Sequence, residues 1–476
     1  MGITAAPERI LRTAHDAQLP FRLHRSAACS SGAALSDAAA IEAWLAERGR
    51  VHTFDVRRIP FEALEGWSFA PDTGNLVHRT GRFFSVEGLA VTSSGGPLPQ
   101  WHQPIINQPE IGILGILVKE FDGVLHFLMQ AKMEPGNPRM LQLAPTVQAT
   151  RSNYMRVHQG NAVRYLEYFA APRRGRVVTD VLQSEHGWWF YRKRNRNMIV
   201  EADGEVELHD DFCWMTLGQI NELMNQKNAV NMDARTVLSC LPPAASAPLG
   251  PGGFHDALAA SRDPQAGAAV GTVELLSWFT EQRARLEFTA KQVPLAGLPG
   301  WRRTDEAIVR EDGRHFQVVA VDVKASSREV SGWSQPLFEP NGLGIAAFVV
   351  KRIEGVLHVL AHAKIESGFL DTVELGPTVQ CRPGNYDESE QPFLLDYVLG
   401  ADPSRIRFDT IHSEEGGRFL NAEFRYLIVE ADDSLPAHLP EEYTWVTAWQ
   451  LGDLLLHGHY VSVQARSLVA CLNAVR

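Results

Sequence analysis

The sequence predicts an α+β protein that contains two copies of one domain. Two observations lead to this prediction: a long segment is repeated without a gap, and each copy combines a β-hairpin pattern with flanking helical patterns. The segment HFLMQAKMEPGNPRMLQLAPTVQATRSNY at 126–154 returns as HVLAHAKIESGFLDTVELGPTVQCRPGNY at 358–386. This spacing is far longer than the roughly 20 to 50 residues of solenoid repeats, so it indicates duplication of a whole domain.

Further matches extend the repeat over most of the chain. Segment 41–67 matches 275–301, 184–203 matches 413–432, and 233–241 matches 464–472. We therefore predict an N-terminal extension at 1–40, repeat 1 at 41–241, a linker at 242–271 and repeat 2 at 272–476. The linker is rich in Pro, Gly and Ala and shows no periodicity. Duplicated domains of this kind are expected to pack about a pseudo-twofold axis.

The secondary-structure patterns agree between the copies. Apolar residues show helical spacing at 41–48, 216–225, 232–241 and 273–283. The segment IGILGILVKEFDGVLHFLMQAK predicts a hairpin with its turn at Asp122 and Gly123, and copy two repeats it with Glu354 and Gly355. Helices before and after antiparallel hairpins are typical of α+β domains.

Composition and charge limit the class of protein. The 476 residues exceed one compact core, and they are 45% hydrophobic and 21% charged without an apolar run of membrane-spanning length. We expect no membrane partner, and the N-terminus lacks a secretion signal, so we expect a cytoplasmic location. The net charge of −11 disfavours a nucleic-acid partner. Five cysteines without a CxxC pair disfavour a zinc site or a disulfide framework.

The segment AKMEPGN, directly after the first hairpin, resembles the opening of a Nudix box. Nudix hydrolases continue with a helix whose glutamates hold magnesium on a diphosphate. Here the continuation PRMLQLAPTVQATRSNY contains no carboxylate after Glu134, so a divalent cation would find too few oxygen ligands. We therefore expect a diphosphate-binding fold without a metal.

The pair AKMEPGN…LAPTVQATRSNY and AKIESGF…LGPTVQCRPGNY closely resembles the NDP-hexose 2,3-dehydratases, from about Ile41 to Leu472. The resemblance implies two tandem Nudix-like α/β/α domains and a dTDP-linked 4-keto-6-deoxy sugar as substrate. It implies loss of water across C2 and C3, and a downstream NADPH-dependent 3-ketoreductase as pathway partner. A homodimer is also expected.

That reaction makes defined chemical demands. The C4 ketone acidifies the C3 hydrogen, so a general base can remove it if donors stabilise the enolate. Hydroxide then leaves C2 with help from a general acid, and the enol tautomerises to a 3,4-diketo sugar. No cofactor is chemically necessary, and the sequence has no GxGxxG fingerprint.

The repeated motif supplies catalytic candidates. We predict Glu134 as the base, Lys132 as the group that neutralises the enolate, and Tyr154 or His158 as the proton donor. Two structural alternatives remain open: Glu134 caps the turn and pairs with Lys132, and His158 is a surface residue.

Copy two offers Asp371 and Glu374 near the same motif, and it carries Glu390 where copy one has His158. Chemistry in copy two therefore stays open, with copy one preferred.

Nucleotide binding needs an aromatic platform and donors for a diphosphate. Trp67 and Trp301 follow a glycine in both copies, and they are either stacking platforms or core anchors. Polar residues cluster after each hairpin and are typical of binding loops. The predicted binding residues of these clusters are Thr150, Arg151, Ser152, Asn153 and Tyr154 in copy one and Gln380, Arg382, Asn385 and Tyr386 in copy two.

One dense basic run, YRKRNRN, occupies 191–197. Copy two keeps Arg425 opposite Arg196, with Tyr426 opposite Asn197. We predict Arg196 and Arg425 as phosphate partners and Asn197 and Tyr426 as further substrate-binding residues. Arg192, Lys193 and Arg194 are interpreted as surface residues. Two other functions remain as alternatives: a Nudix pyrophosphatase and a non-catalytic protein that binds nucleotide sugars.

Overall fold

A computed structural model describes residues 16–96, 98–150, 163–171, 174–242, 253–326, 330–387 and 391–475. It has mixed helices and sheets in two repeated halves, which confirms the predicted α+β class. Among the described residues, no helix is long and apolar enough to cross a membrane.

The α-helices lie before and after the sheets of each half. The described helices are α1 Leu19–Ala28, α2 Ala38–Val51, α3 Leu217–Met224, α4 Met232–Ser239, α5 Phe254–Ser261, α6 Thr272–Ala284, α7 Leu395–Leu399, α8 Ala448–Leu454 and α9 Val463–Asn473.

The strands of the first half run from β1 to β12. Their bounds are β1 Phe54–Ile59, β2 Trp67–Phe69, β3 Leu76–His78, β4 Ser85–Ser93, β5 Gln100–Asn107, β6 Gly112–Phe121, β7 Val124–Met133, β8 Leu141–Ala144, β9 Val147–Ala149, β10 Arg176–Ser184, β11 Arg194–Glu201 and β12 Phe212–Met215.

The second half repeats this series from β13 to β24. Their bounds are β13 Phe288–Val293, β14 Trp301–Arg303, β15 Ala307–Arg310, β16 Phe316–Ala325, β17 Gly332–Pro340, β18 Gly344–Ile353, β19 Val356–Ile365, β20 Val373–Gly376, β21 Val379–Cys381, β22 Ile406–Ser413, β23 Glu423–Glu430 and β24 Tyr443–Thr447.

Each half has a seven-stranded sheet with the same order. In the first half the order is β10-β11-β6-β7-β12, with β8 on β7 and β9 on β6, and the second half repeats it as β22-β23-β18-β19-β24. The predicted hairpin is confirmed, because β6 and β7 pair antiparallel around Asp122 and Gly123. Both turn residues have positive φ, 49° and 76°, which an Asp-Gly pair accommodates.

The smaller sheets exchange strands between the halves. Strand β1 of the first half pairs with β16 of the second, and β13 of the second half pairs with β4 of the first. The two exchanges are equivalent, because each five-stranded sheet takes one strand from the other half. Neither of these sheets is therefore complete within one repeat.

The helices that close the two halves begin at equivalent caps. Thr216 and Thr447 each accept from the backbone N–H of a glutamine three residues on, and each glutamine side chain binds back to the cap. This capping box is why α3 and α8 start where they do. Helices α4 and α9 pack against each other at the junction between the halves, and the main apolar core continues from one half into the other.

The predicted linker contains a helix. Helix α5 lies inside 242–271 and packs on β19, as α1 packs on β7 in the first half. The Ser261 hydroxyl accepts from Ala448 N at 2.7 Å, and Ser26 accepts from Leu217 N at 2.9 Å. The helix was not predicted, because the segment begins with a Pro-rich stretch and the helix has only about two turns of apolar periodicity. The helix packs on the second half.

Candidate active site

A large cleft lies beside the main sheet of the first half. Its volume is about 1020 Å³, and residues from both halves line it. Strand β17 of the second half contributes one wall through Trp333, Ser334 and Gln335. This volume falls at the upper end of what ligand pockets typically occupy, so the cleft could hold a nucleotide-linked ligand.

Lys132, Glu134 and Gln148 form a triad in the cleft. The triad joins the end of β7 to β9, and Glu134 is 4% exposed. Gln148 Nε2 donates to Glu134 Oε1 at 2.6 Å, while Lys132 Nζ lies 3.7 Å from the same oxygen. The amide donor fixes one carboxylate oxygen, so the geometry permits Glu134 to act through the other.

The turn that carries Glu134 docks on a loop of the second half. Gly136 N donates to Gly416 O at 2.7 Å, and Asn421 N donates to Gly136 O at 2.8 Å. A Cβ at Gly136 would overlap the carbonyl oxygen of Phe419, so glycine is required by this close approach.

Three more carboxylates lie around Glu134. Glu185 follows β10, Asp233 lies on α4, and Glu415 comes from the docked loop. Burial, followed by the charges of Glu185, Glu134 and Glu415, raises the pKa of Asp233 well above its ordinary value. Burial also raises the pKa of Glu415 to about 7, with Glu134 adding to the shift and Arg418 opposing it. The pKa of Glu415 suits proton transfer at neutral pH.

Cations balance this cluster. Lys193 is 7% exposed, donates to Glu110 O, and has its pKa lowered to about 8 by burial. Its interpretation as a solvated residue is therefore wrong. The Arg418 guanidinium lies 4.5 Å from the Phe84 ring centroid inside the cleft. Arg79 and Arg82 are exposed at its rim.

Aromatic rings form one end of the cleft. The Trp67 ring lies 4.9 Å from Phe84, and His78 lies 4.4 Å from Phe83. Trp67 is 8% exposed and donates from Nε1 to Ser334 O at 3.0 Å. Trp67 therefore contacts the cleft and also anchors the core.

The second half keeps the triad in a closed environment. Gln380 Nε2 donates to Glu366 Oε1 at 2.9 Å, and Lys364 Nζ donates to Gln380 O at 3.2 Å. Glu366 lines neither the cleft nor the cavity of about 460 Å³ on the outside of this half. The Arg382 guanidinium lies between the rings of Phe424 and Trp189, at 4.7 and 5.8 Å.

Other acidic residues of the second half are held by structural contacts. Glu414 accepts from Tyr426 Oη at 2.6 Å and pairs with His186 at 3.0 Å. Glu374 is fully buried and accepts from Ser184 Oγ. Asp371 pairs with Arg283 at the surface. The first-half cleft is therefore the better candidate site.

Arg196 and Arg425, which the sequence analysis predicted as phosphate partners, lie in cross-strand ion pairs. Arg196 pairs with Asp180 on the neighbouring strand, and Arg425 pairs with Asp409 in the equivalent way, with Nη2 to Oδ2 at 2.6 Å. Neither arginine lines the cleft. A cross-strand ion pair kept in both copies explains their retention.

Several other predicted binding residues also lie in structural positions. Asn197 is buried and bonds Thr236, while the Tyr426 ring is fully buried. Trp301 donates to His102 O in the core. Asn385 accepts from His315 N, and the half-buried Tyr386 packs in the apolar core of the second half.

The remaining predicted residues divide into two groups. Thr150 lines the cleft, whereas Gln380 and Arg382 belong to the closed second-half cluster. The predicted residues Arg151, Ser152, Asn153, Tyr154 and His158 lie outside the described residues.

Sequence reasoning missed nine charged residues that line the cleft: Glu65, Arg79, Arg82, Glu110, Glu185, Lys193, Asp233, Glu415 and Arg418. The aligned SEHGWW and SEEGGR segments contained a signal, because their charged residues differ in kind between the copies. That signal could be interpreted only once the loop of one half was placed against the other.

The fold and site together define a duplicated α+β protein with a buried carboxylate-rich cleft suited to acid–base chemistry on a charged small molecule. Among the described residues, no three His, Cys, Asp or Glu side chains are grouped as metal ligands.

Comparison with known proteins identifies the family. The family model of NDP-hexose 2,3-dehydratase matches residues 38–241 and 272–472. A dTDP-4-dehydro-6-deoxy-alpha-D-glucopyranose 2,3-dehydratase of Amycolatopsis orientalis is 54% identical over 442 residues, 91% of this chain and 90% of that protein. Proteins of the same name from Saccharopolyspora spinosa and Streptomyces violaceoruber are 51% and 49% identical, covering 91% and 93% of this chain and 90% and 98% of theirs. The chain belongs to the NDP-hexose 2,3-dehydratase family, which confirms the predicted resemblance and the carbon–oxygen lyase class.

Proposed function

We propose that this protein removes water across C2 and C3 of dTDP-4-keto-6-deoxyglucose to give a 3,4-diketo-2,6-dideoxy sugar. Three relatives at 49–54% identity carry the name of that activity. The observation that carries the proposal within this chain is the position of Glu134, held by Gln148 at the buried end of a cleft large enough for the substrate.

Glu134 is proposed as the base that removes the C3 proton. Lys132 is close enough to that carboxylate to supply positive charge where the enolate develops at O4. No step in this scheme needs a group beyond the ketone to accept electrons. The roles of Tyr154 and His158 as proton donors stay predictions.

The diphosphate is proposed to lie toward the rim, where Arg79 and Arg82 are exposed and Arg418 stacks on Phe84. Guanidinium groups bind phosphate oxygens in a bidentate manner and need no metal for this. Trp67 and Thr150 would contact the ligand from the cleft wall.

The wider architecture is also proposed. We infer Nudix-like repeats related by a pseudo-twofold axis, and the reciprocal β1–β16 and β13–β4 pairings support that relation. We propose repeats at 41–241 and 272–476, with α5 preceding the second repeat in the chain and packing on its strand β19. A homodimer, a cytoplasmic location and a downstream NADPH-dependent 3-ketoreductase are also proposed.

A coupled assay tests the reaction. The protein is incubated with dTDP-4-keto-6-deoxyglucose and an NADPH-dependent 3-ketoreductase, and the sugar is analysed by mass spectrometry. Loss of the C2 oxygen supports the lyase. Unchanged sugar with tight binding would favour a binding protein, and magnesium-dependent release of dTMP would favour a pyrophosphatase.

A further inference from the structure

The loop 413–421 of the second half places a carboxylate opposite Glu134. The Gly136 turn and the Gly416 loop bind each other through two backbone hydrogen bonds of 2.7 and 2.8 Å. Glu415 directly precedes one docking glycine, and Glu134 lies two residues before the other. Both side chains line the same cleft.

The Glu415 carboxylate is only half satisfied. Its Oε1 accepts from Gly417 N at 2.9 Å, whereas its buried Oε2 has no hydrogen-bond partner among the described residues. A buried carboxylate oxygen without a hydrogen-bond partner is unfavourable unless a proton or a ligand occupies it. A ligand in the cleft can supply that partner.

The first half has a histidine at the loop position that is equivalent to Glu415. His186 occupies it in the first half, where it pairs with Glu414 at 3.0 Å and bonds Gln464 at 2.7 Å. The His186 side chain is therefore held by two protein groups, Glu414 and Gln464. The loop itself has the same docking contacts, since Gly368 N donates to Gly187 O. Docking therefore does not require a carboxylate at this position.

The surrounding charges favour a proton on Glu415. Burial, together with the negative charges of Glu134 and Glu185, raises its pKa to about 7 against the opposing effect of Arg418. A carboxyl group with this pKa can hold a proton near neutral pH and release it to a leaving oxygen.

We infer that Glu415, carried by the second half, is the catalytic residue that protonates the departing C2 hydroxyl in the first-half cleft, the role that the sequence analysis predicted for Tyr154 or His158. The inference rests on the proposed function. Glu134 takes the C3 proton, and the C–H electron pair forms the C3–C4 enolate. As the C4 ketone returns, the C2–C3 double bond forms and the C2–O bond breaks with its electron pair. The proton of Glu415 completes the water, and the enol at C3 then moves its hydroxyl proton to solvent while C2 gains one.

The test compares Glu415→Gln with Glu134→Gln in D₂O, using the natural substrate and its 2-deoxy-2-fluoro analogue. Fluoride leaves without protonation, so loss of a general acid affects the analogue less. For Glu415→Gln we expect turnover of the natural substrate to fall roughly 100- to 10,000-fold and turnover of the analogue to fall about tenfold or less. Unreacted substrate should gain deuterium at C3 with Glu415→Gln and not with Glu134→Gln.

His186→Gln serves as the control at the reciprocal loop position, and we expect turnover close to wild type. Three results with Glu415→Gln would overturn the inference. These are unchanged turnover of the natural substrate, an equal loss of turnover on both substrates, and a loss of deuterium exchange at C3. If Glu415→Gln does not fold, Glu415→Ser is used, and its losses of turnover on the two substrates are compared in the same way. Failure of the wild-type protein to dehydrate the natural substrate would instead reject the proposed function.

Discussion

The two halves hold the same triad in opposite environments. Lys132, Glu134 and Gln148 face a cleft, whereas the equivalent residues of the second half are enclosed by protein. The glutamine-to-glutamate distances are 2.6 and 2.9 Å, so the triads differ little in geometry. The difference between the halves therefore lies in what surrounds the triad.

Two replacements account for much of the closure. Arg382 stands in the second half where the first has Thr150, and Phe424 stands where it has Asn195. The Arg382 guanidinium lies 4.7 Å from the centroid of the Phe424 ring. The larger side chains take the places of two residues that line the cleft in the first half. Duplication preserved the scaffold in both halves, and substitution around it left an open cleft in one.

The largest expected effect separates Glu134→Gln from Glu366→Gln. Because Glu134 is the proposed base, its variant should lower kcat roughly 100- to 10,000-fold with KM little changed. Glu366→Gln should leave kcat near wild type, since its carboxylate does not face the cleft. Steady-state kinetics of both purified variants measure this, and equal losses would remove the distinction between the halves.

A smaller effect concerns Lys193, which Ala422 replaces in the second half. Its pKa falls from 10.5 unfolded to about 8 folded, so folding must disfavour the charged form. The penalty is complete below pH 8, shrinks as pH rises from 8 to 10.5, and amounts to about 3 kcal/mol at most.

The free energy of unfolding of Lys193→Met at pH 7 should therefore exceed that of the wild type. The loss of the bond to Glu110 O reduces this difference. The difference should decline as the pH rises toward 10.5. Urea unfolding at several pH values measures it, and a pH-independent difference would contradict the assigned shift.

Two fully buried arginines give the next comparison. Arg466 donates to Ser184 O and, at 2.9 Å, to Thr236 Oγ1, so it braces the elements that carry Glu185 and Asp233. Arg235 makes the reciprocal contacts with the second half, including 2.8 Å to Ser413 O.

Replacement of either arginine by lysine should cost about 1–3 kcal/mol of unfolding free energy, because buried acceptors lose donors. Only Arg466→Lys should also lower kcat. Denaturation curves and kinetics test this together, and a larger kcat loss in Arg235→Lys would reverse the account.

The smallest effect is expected at the cross-strand ion pairs. Arg196→Ala and Arg425→Ala remove partly exposed pairs and should each cost about 1 kcal/mol or less. Neither should weaken dTDP binding, whereas Arg418→Ala should. Calorimetric titration with dTDP checks this, and a weakened Arg196→Ala complex would restore the original phosphate prediction.

The repeat, the hairpin and its Asp-Gly turn were predictable, because local patterns determine them. Lys132 and Glu134 were named from the repeated motif, and both side chains line the cleft, while their catalytic roles stay predictions. Strand exchange could not be predicted, because β1 and β13 have no local signal for the half with which they pair.

The differences between the sequence analysis and the structure have physical causes as well. Arg196 and Arg425 were retained for a reason the sequence also shows, because Asp180 and Asp409 are retained opposite them. Glu415 was missed because its position in the cleft depends on contacts between residues far apart in the chain.

A crystal structure of Glu134→Gln soaked with dTDP-4-keto-6-deoxyglucose tests the central claim most directly. The account predicts the sugar in the first-half cleft, with C3 within about 3.5 Å of the residue 134 side chain and the diphosphate toward Arg79, Arg82 and Arg418. A sugar bound only in the second half, or bound with C3 away from residue 134, would contradict it.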